Sequence, residues 1–301
     1  MMIRITFIER TEGRIAMGSY VSLFGQVSAP ILLACLLGFL YQHYKKPDAR
    51  TMADVSLFVL SPCLIVSALA ESELQGSIFL DILVFTLIQT ALCWAASAGI
   101  GRLFRFDLAS RRAMDLTTLF ANSNNYGLPL LLLAFGTTGL AIGVTNVVLH
   151  IVLVNTLGMY LASRTAFQPK QAIRQIAKTP LLYASIAGVI IFVLQIRLPS
   201  DLMEGLKLVG SAYPALVLLI LGMQLRKTNW RHSWRKEIWI SLGLRIVIVP
   251  LLSWITIRLI GLHGLTASVL FVQSSMPSAI NSVMLMEKYG ATKIWWPSTS
   301  R

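Results

Sequence analysis

Apolar runs of roughly 16–23 residues recur along almost the whole 301-residue chain, separated by short polar stretches. About 20 apolar residues of helix cross a bilayer core. Tilted β-barrel strands would instead show about 10 residues of alternating polarity, and that pattern is not seen. Nine spans are predicted. Spans 1 to 5 are Phe24–Tyr44, Met52–Ala70, Ile82–Ile100, Ala113–Phe135 and Leu140–Leu161. Spans 6 to 9 are Leu181–Ile196, Leu208–Leu225, Ile238–Ile260 and Leu265–Met286. No stretch between them is long enough for a soluble domain.

Spans 4 and 9 are each interrupted at their centre by a polar cluster containing proline. The first cluster is Asn122-Ser123-Asn124-Asn125-Tyr126-Gly127-Leu128-Pro129, and the second is Ser274-Ser275-Met276-Pro277-Ser278-Ala279-Ile280-Asn281. Pro129 has no N–H, and its ring clashes with the carbonyl four residues earlier, on Asn125; Pro277 does the same to Gln273. Gly127 adds backbone freedom beside Pro129. An unpaired backbone group in hydrocarbon costs several kcal/mol, so such breaks persist only where buried in protein or facing a watery cavity. Half-helix N-termini favour anions and freed carbonyls favour cations.

Composition agrees with a membrane protein: 55% hydrophobic and only 13% charged residues, with a mean hydropathy of +0.69. A soluble domain carries roughly 25% charged residues. The net charge of +13 could suggest nucleic acid, but its distribution excludes that partner. Nineteen of the 26 Lys and Arg lie in loops 1–2, 3–4, 5–6, 7–8 and the tail after span 9. Six lie in the N-terminus and the alternate loops, and Arg245 lies inside span 8. The positive-inside rule then puts the N-terminus outside the cytoplasmic (inner) membrane and the end of span 9 in the cytoplasm. Cys35, Cys63 and Cys93 all fall within spans, as small buried hydrophobes, with no redox or metal spacing.

Four proline pairs share nearly one offset: Pro30 and Pro180, Pro47 and Pro199, Pro62 and Pro214, Pro129 and Pro277. This spacing predicts a duplicated unit of five helices. An odd number makes the second copy enter from the opposite side, an inverted repeat found in many secondary transporters. The expected fold is therefore an all-α membrane protein, a 5+5 inverted-repeat transporter with broken helices 4 and 9 crossing. The expected partition is a polar extension at 1–20, a five-helix repeat at 21–163, a cytoplasmic linker at 164–179, a four-helix second repeat at 180–287 and a polar tail at 288–301. The mate of span 5 should fall near residues 288–309, where the chain is polar, so a tenth helix is expected to be missing. Met1–Ala16 is polar and has no signal-peptide core, which puts the expected start of translation at or near Met17.

Asn122, Asn124, Asn125, Tyr126, Ser278 and Asn281 are the candidate substrate-binding residues, with neutral donors and acceptors. Gly127, Pro129, Met276 and Pro277 form the helix breaks. The alternative for any one Asn or Ser is a structural hydrogen bond between helices. His150 lies one turn from Asn146 on span 5, either carrying a coupled proton or hydrogen-bonded as a neutral ring. Arg245 lies roughly 10 Å into span 8 by helical rise, either snorkelling to the cytoplasmic interface or attracting a substrate carboxylate. Asp54, Asp81, Asp115 and Glu287 sit at span ends, so no carboxylate proton relay is expected. No P-loop, HExxH or GxSxG motif occurs, and His43, His150, His232 and His263 are scattered. Neither an ATP site nor an enzyme is indicated, and no metal or cofactor is expected.

The stretch Asn-Ser-Asn-Asn-Tyr-Gly-Leu-Pro-Leu from Asn122, and Met-Pro-Ser-Ala-Ile-Asn-Ser-Val-Met-Leu-Met-Glu-Lys-Tyr-Gly from Met276, resemble the signature stretches of the auxin efflux carrier family. The resemblance runs from about Ser28 to Gly290 and includes Ser61-Pro62-Cys63 in span 2. It implies a ten-helix fold with a substrate site where helices 4 and 9 cross. It further implies alternating access, with a transport domain moving against a scaffold of helices 1, 2, 6 and 7. Bacterial relatives are often assigned as malate or malonate permeases and plant relatives export auxin, so a small organic anion such as a dicarboxylate is the implied substrate. The coupling ion would be H+ or Na+, and the other expected partners are the lipid bilayer and a second copy of the chain. The competing classes are a channel, a membrane receptor and a truncated transporter without function.

Overall fold

The computed structural model describes residues 17–71, 76–162, 174, 177, 180–194, 196–227 and 236–279. Regular structure among them is entirely helical. Over the described residues each of the nine expected spans coincides with helix apart from the breaks in spans 4 and 9, and several are longer than hydropathy alone indicated. Span 1 is Met17–Lys45, and span 3 is Gly76–Leu103. Span 6 is Pro180–Val193, span 7 is Ser200–Lys227, and the described part of span 9 begins with Gly264–Ser274. Thr51–Ala70, Ile78–Leu103, Ser123–Ala162, Ser200–Arg226 and Lys236–Leu259 are each long and apolar enough to cross a membrane. Leu32 is 65% and Leu36 54% exposed on span 1, surfaces that suit lipid and not water. The N-terminal extension, most of the linker, the far half of span 9 with Asn281, and the tail lie outside the described residues, as does the expected missing helix.

The run Ser123–Ala162 holds two spans. It folds back at Gly136, whose backbone (φ 67°, ψ −161°) suits only glycine. Beyond the turn, a Cβ at Gly139 would overlap Phe135, and one at Gly143 would overlap Leu131. Positions 131 and 143 would stand about 18 Å apart along one continuous helix, so they meet only in an antiparallel hairpin, and spans 4 and 5 are separate helices.

Among the described residues four spans contain a widened turn with i→i+5 hydrogen bonds. The one in span 5, Val154–Gly158, has no proline after it, and the other three each end two residues before a proline. These three are Ser56–Leu60 before Pro62, Ser123–Gly127 before Pro129, and Leu244–Ile248 before Pro250. The bonds include Ser61 N–H to the Ser56 carbonyl and Val249 N–H to the Leu244 carbonyl. A proline ring cannot tolerate the carbonyl of an ordinary preceding turn and offers no N–H to it. One extra residue in that turn moves the carbonyl aside, which is the usual origin of a π-bulge kink.

Packing sorts the helices into two groups. Spans 1, 2, 6 and 7 pack together, and spans 3, 4, 5, 8 and 9 form the second group. Span 1 crosses span 7 at Gly38 and Gly222, where each glycine touches the opposite backbone, at Leu219 and Cys35 respectively. Arg226 reaches His43 at 3.3 Å and lies over the Phe39 ring, so the two helices run parallel. Spans 2 and 7 run antiparallel, with Leu64 against Gly210 and Glu71 paired with Lys207. The apolar layer between the groups includes Leu64, Ala68, Leu128, Val144, Leu181 and Val217. Two further apolar clusters lie inside the second group, one on either side of the breaks.

Candidate functional site

The first half of span 4 is Leu108–Leu119. It starts at an Asp107 N-cap whose carboxylate accepts the Ala109 N–H at 3.2 Å. This start precedes the expected Ala113 and corrects the placing of Asp115. That carboxylate is not at a span end but two turns inside the helix, 8% exposed, and accepts a 2.6 Å hydrogen bond from Ser97 of span 3. Asp115 is thus a buried carboxylate within span 4 rather than one at its end.

The unwound stretch of span 4 is Phe120–Asn122, upstream of Pro129 rather than at it. Phe120 is extended (φ −107°, ψ 106°). The second half of span 4 is helical from Ser123, with Gly127 (φ −66°, ψ −50°) and Leu128 in ordinary helical backbone, so Pro129 lies inside it, accommodated by the extra residue of the widened turn. Asn124, Asn125, Tyr126 and Gly127 lie in that turn. In span 9 the helix ends at Ser274, and Met276, Pro277 and Ser278 follow in non-helical backbone.

The two breaks meet. Asn122 N–H donates to the Pro277 carbonyl at 2.8 Å, and Ala279 N–H donates to the Phe120 carbonyl at 2.9 Å. Ala121 and Ser278 thus form a short antiparallel bridge. The Ser278 hydroxyl adds a 2.8 Å bond to the Thr117 carbonyl. Backbone groups freed by each break are satisfied by the other, as membrane burial requires.

Arg245 secures this joint. Its Nε donates to the Met276 carbonyl at 2.6 Å, Nη1 to Thr118 at 2.8 Å and Nη2 to Ser274 at 2.9 Å. It is 5% exposed, so the snorkelling expectation is wrong. The side chain turns inward because two helix ends offer it three carbonyls.

Among the expected site residues, Asn122 is buried, whereas Asn124, Asn125 and Tyr126 are partly open. Asn124 Nδ2 donates to Asn125 Oδ1 at 3.3 Å and its Oδ1 accepts from the Tyr213 hydroxyl of span 7 at 3.1 Å. The asparagine turn therefore faces the other helical group. The hydroxyls of Thr118 and Ser123, both buried beside the break, have no partner among the described residues.

A polar chain runs behind the joint. Thr86 of span 3 donates to Asn146 Oδ1 at 3.0 Å, Asn146 Nδ2 donates to Gln273 Oε1 at 2.7 Å, and Gln273 Nε2 donates to the Gly143 carbonyl at 3.1 Å. It ties spans 3, 5 and 9 together. His150 Nδ1 lies 3.1 Å from the Asn146 carbonyl one turn back, a bond within its own helix. Sequence reasoning missed the side chains of Gln273, Thr86 and Tyr213. The signal for Gln273 was a lone amide in an apolar helix, four residues before Pro277.

A family model described as membrane transport protein matches residues 24–294. Two archaeal proteins are similar over most of their length, and both are described as uncharacterized transporters. One, from Methanocaldococcus jannaschii, is 23% identical over 86% of this chain and 87% of its own. The other, from Methanothermobacter thermautotrophicus, is 28% identical over 85% of each chain. With its apolar helices, its backbone-satisfied breaks and this match over nearly the whole length, the chain belongs to the membrane transport protein family of auxin efflux carriers.

Proposed function

We propose that the chain is a secondary carrier for a small organic anion such as a dicarboxylate, working by alternating access in the cytoplasmic membrane with its N-terminus outside. Spans 4 and 9 are read as the crossing helices of an inverted 5+5 repeat. The observation that carries this reading is the backbone joint between the two breaks, set where the asparagine turn faces Tyr213 of the other helical group. A carrier of this kind needs polar groups at the boundary between two bodies that move against each other. The turn's N–H groups stand at the start of the second half of span 4, where a helix end favours negative charge. The partnerless hydroxyls of Thr118 and Ser123 beside it are groups that a bound polar substrate satisfies. Asn124, Asn125 and Tyr126 would contact the substrate, while Asn122 and Ser278 hold the joint.

The test is counterflow of labelled malate, and then malonate, by the full chain in proteoliposomes. A carrier shows saturable uptake stimulated by unlabelled substrate inside. Flux without counterflow would indicate a channel, and no flux of either dicarboxylate would refute the substrate class. Asn124→Ala should raise KM for the transported anion without unfolding the protein.

A further inference from the structure

Arg245 is a buried cation without a carboxylate. The carboxylate ion pair found among the described residues is Lys207 with Glu71, on the other helical group. The surroundings of Arg245 explain how the charge is tolerated. Thr118 lies in the last turn of Leu108–Leu119, and Ser274 closes Gly264–Ser274, with Met276 just beyond it. Both half-helices therefore aim their C-terminal ends at one guanidinium. A helix C-terminus carries about half an elementary negative charge in its unpaired carbonyls. Two such ends amount to about one negative charge, and one guanidinium balances it.

A cluster of inward-facing carbonyls at helix C-termini is otherwise a site for a free cation. We infer that Arg245 is the resident cation of this joint: its guanidinium takes the carbonyls of Thr118, Ser274 and Met276 that a sodium ion would coordinate, and the joint needs no sodium. The planar fork is what allows this. Its Nε, Nη1 and Nη2 reach three separate acceptors, whereas a lysine ammonium is a compact point charge at the end of a flexible stem. With the C-terminal ends neutralised from within, the N-terminal end at the asparagine turn is left to an anion. The consequence for transport rests on the carrier reading above; the occupation of the carbonyls does not.

The experiment is thermal melting of the purified full chain in detergent, with sodium chloride against N-methylglucamine chloride at about 0.15 M. The wild type should melt at the same temperature in both. Arg245→Ala should melt lower by about 5 °C or more, and millimolar methylguanidinium should restore a large part of the loss. Sodium stabilisation of the wild type, wild-type melting of the variant, or a variant that methylguanidinium does not restore would each overturn the inference. If Arg245→Ala yields no folded protein, the sodium comparison on the wild type decides alone, and Arg245→Lys should fold but melt below wild type. Malate counterflow is then compared in the two salts. Counterflow that requires sodium overturns the inference and spares the carrier reading. Absent counterflow with sodium-indifferent melting removes the carrier reading and leaves the resident cation standing.

Discussion

Replacing Gly222 with alanine tests how spans 1 and 7 hold together. A Cβ there would lie 2.7 Å from the Cys35 carbonyl carbon and closer still to its oxygen. A Cβ at Gly38 would lie 2.7 Å from the Leu219 carbonyl carbon, again closer to the oxygen. Ordinary contact begins near 3.4 Å, so either alanine must part the helices by about 1 Å. The obstacle is backbone in both cases, and no side-chain rotation relieves it. Small residues are what let membrane helices approach this closely. Overpacking of this kind costs about 1–3 kcal/mol, so Gly222→Ala should lower stability by that amount in a denaturant or thermal titration. The two sites share one crossing, so the damage should not add. Once the first alanine has parted the helices, the second meets less resistance, and the double variant should fall short of the sum by about 0.5 kcal/mol or more. Gly205, on the same helix with nothing within 4 Å, is the control; alanine there should be neutral or stabilising by up to about 1 kcal/mol. Wild-type stability of Gly222→Ala, or strict additivity with Gly38→Ala, would refute the packing argument.

Gln273→Met removes one partner each from Asn146 and the Gly143 carbonyl. It should cost about 1–3 kcal/mol in the same titration, and less when Asn146 is already leucine. Gly136→Ala forces a side chain into a backbone region open only to glycine, at about 1–3 kcal/mol, seen as a lower melting temperature. Asp107→Ala uncaps the first half of span 4 for about 1 kcal/mol, and Asp107→Asn should retain most of that by melting temperature.

The spans were legible because hydropathy decides what enters lipid. Their ends were less so: Leu108–Arg112 reads as polar, yet an N-cap at Asp107 lets the helix begin there. The breaks were found by their prolines but misplaced in span 4. The widened turn lets Pro129 sit inside a helix that begins at Ser123, so the chain unwinds earlier than the proline, at Phe120–Asn122. Arg245 could not be read locally at all. Distance along its own helix pointed to the cytoplasmic interface, while its acceptors come from two other spans. Gly136, in contrast, was readable as a turn because Gly-Thr-Thr-Gly separates two apolar runs.

The position of Arg245 in the chain also orders the protein's assembly. Span 8 is synthesised before Ser274 and Met276 exist, so when it enters the bilayer the guanidinium can reach only the Thr118 carbonyl among its final acceptors. A lone charge at that depth costs several kcal/mol, and the penalty lasts until span 9 arrives. Insertion of span 9 is thus driven partly by a charge already waiting for it. A chain halted between the two spans would present the cell's quality-control machinery with a membrane helix that has no settled place in lipid.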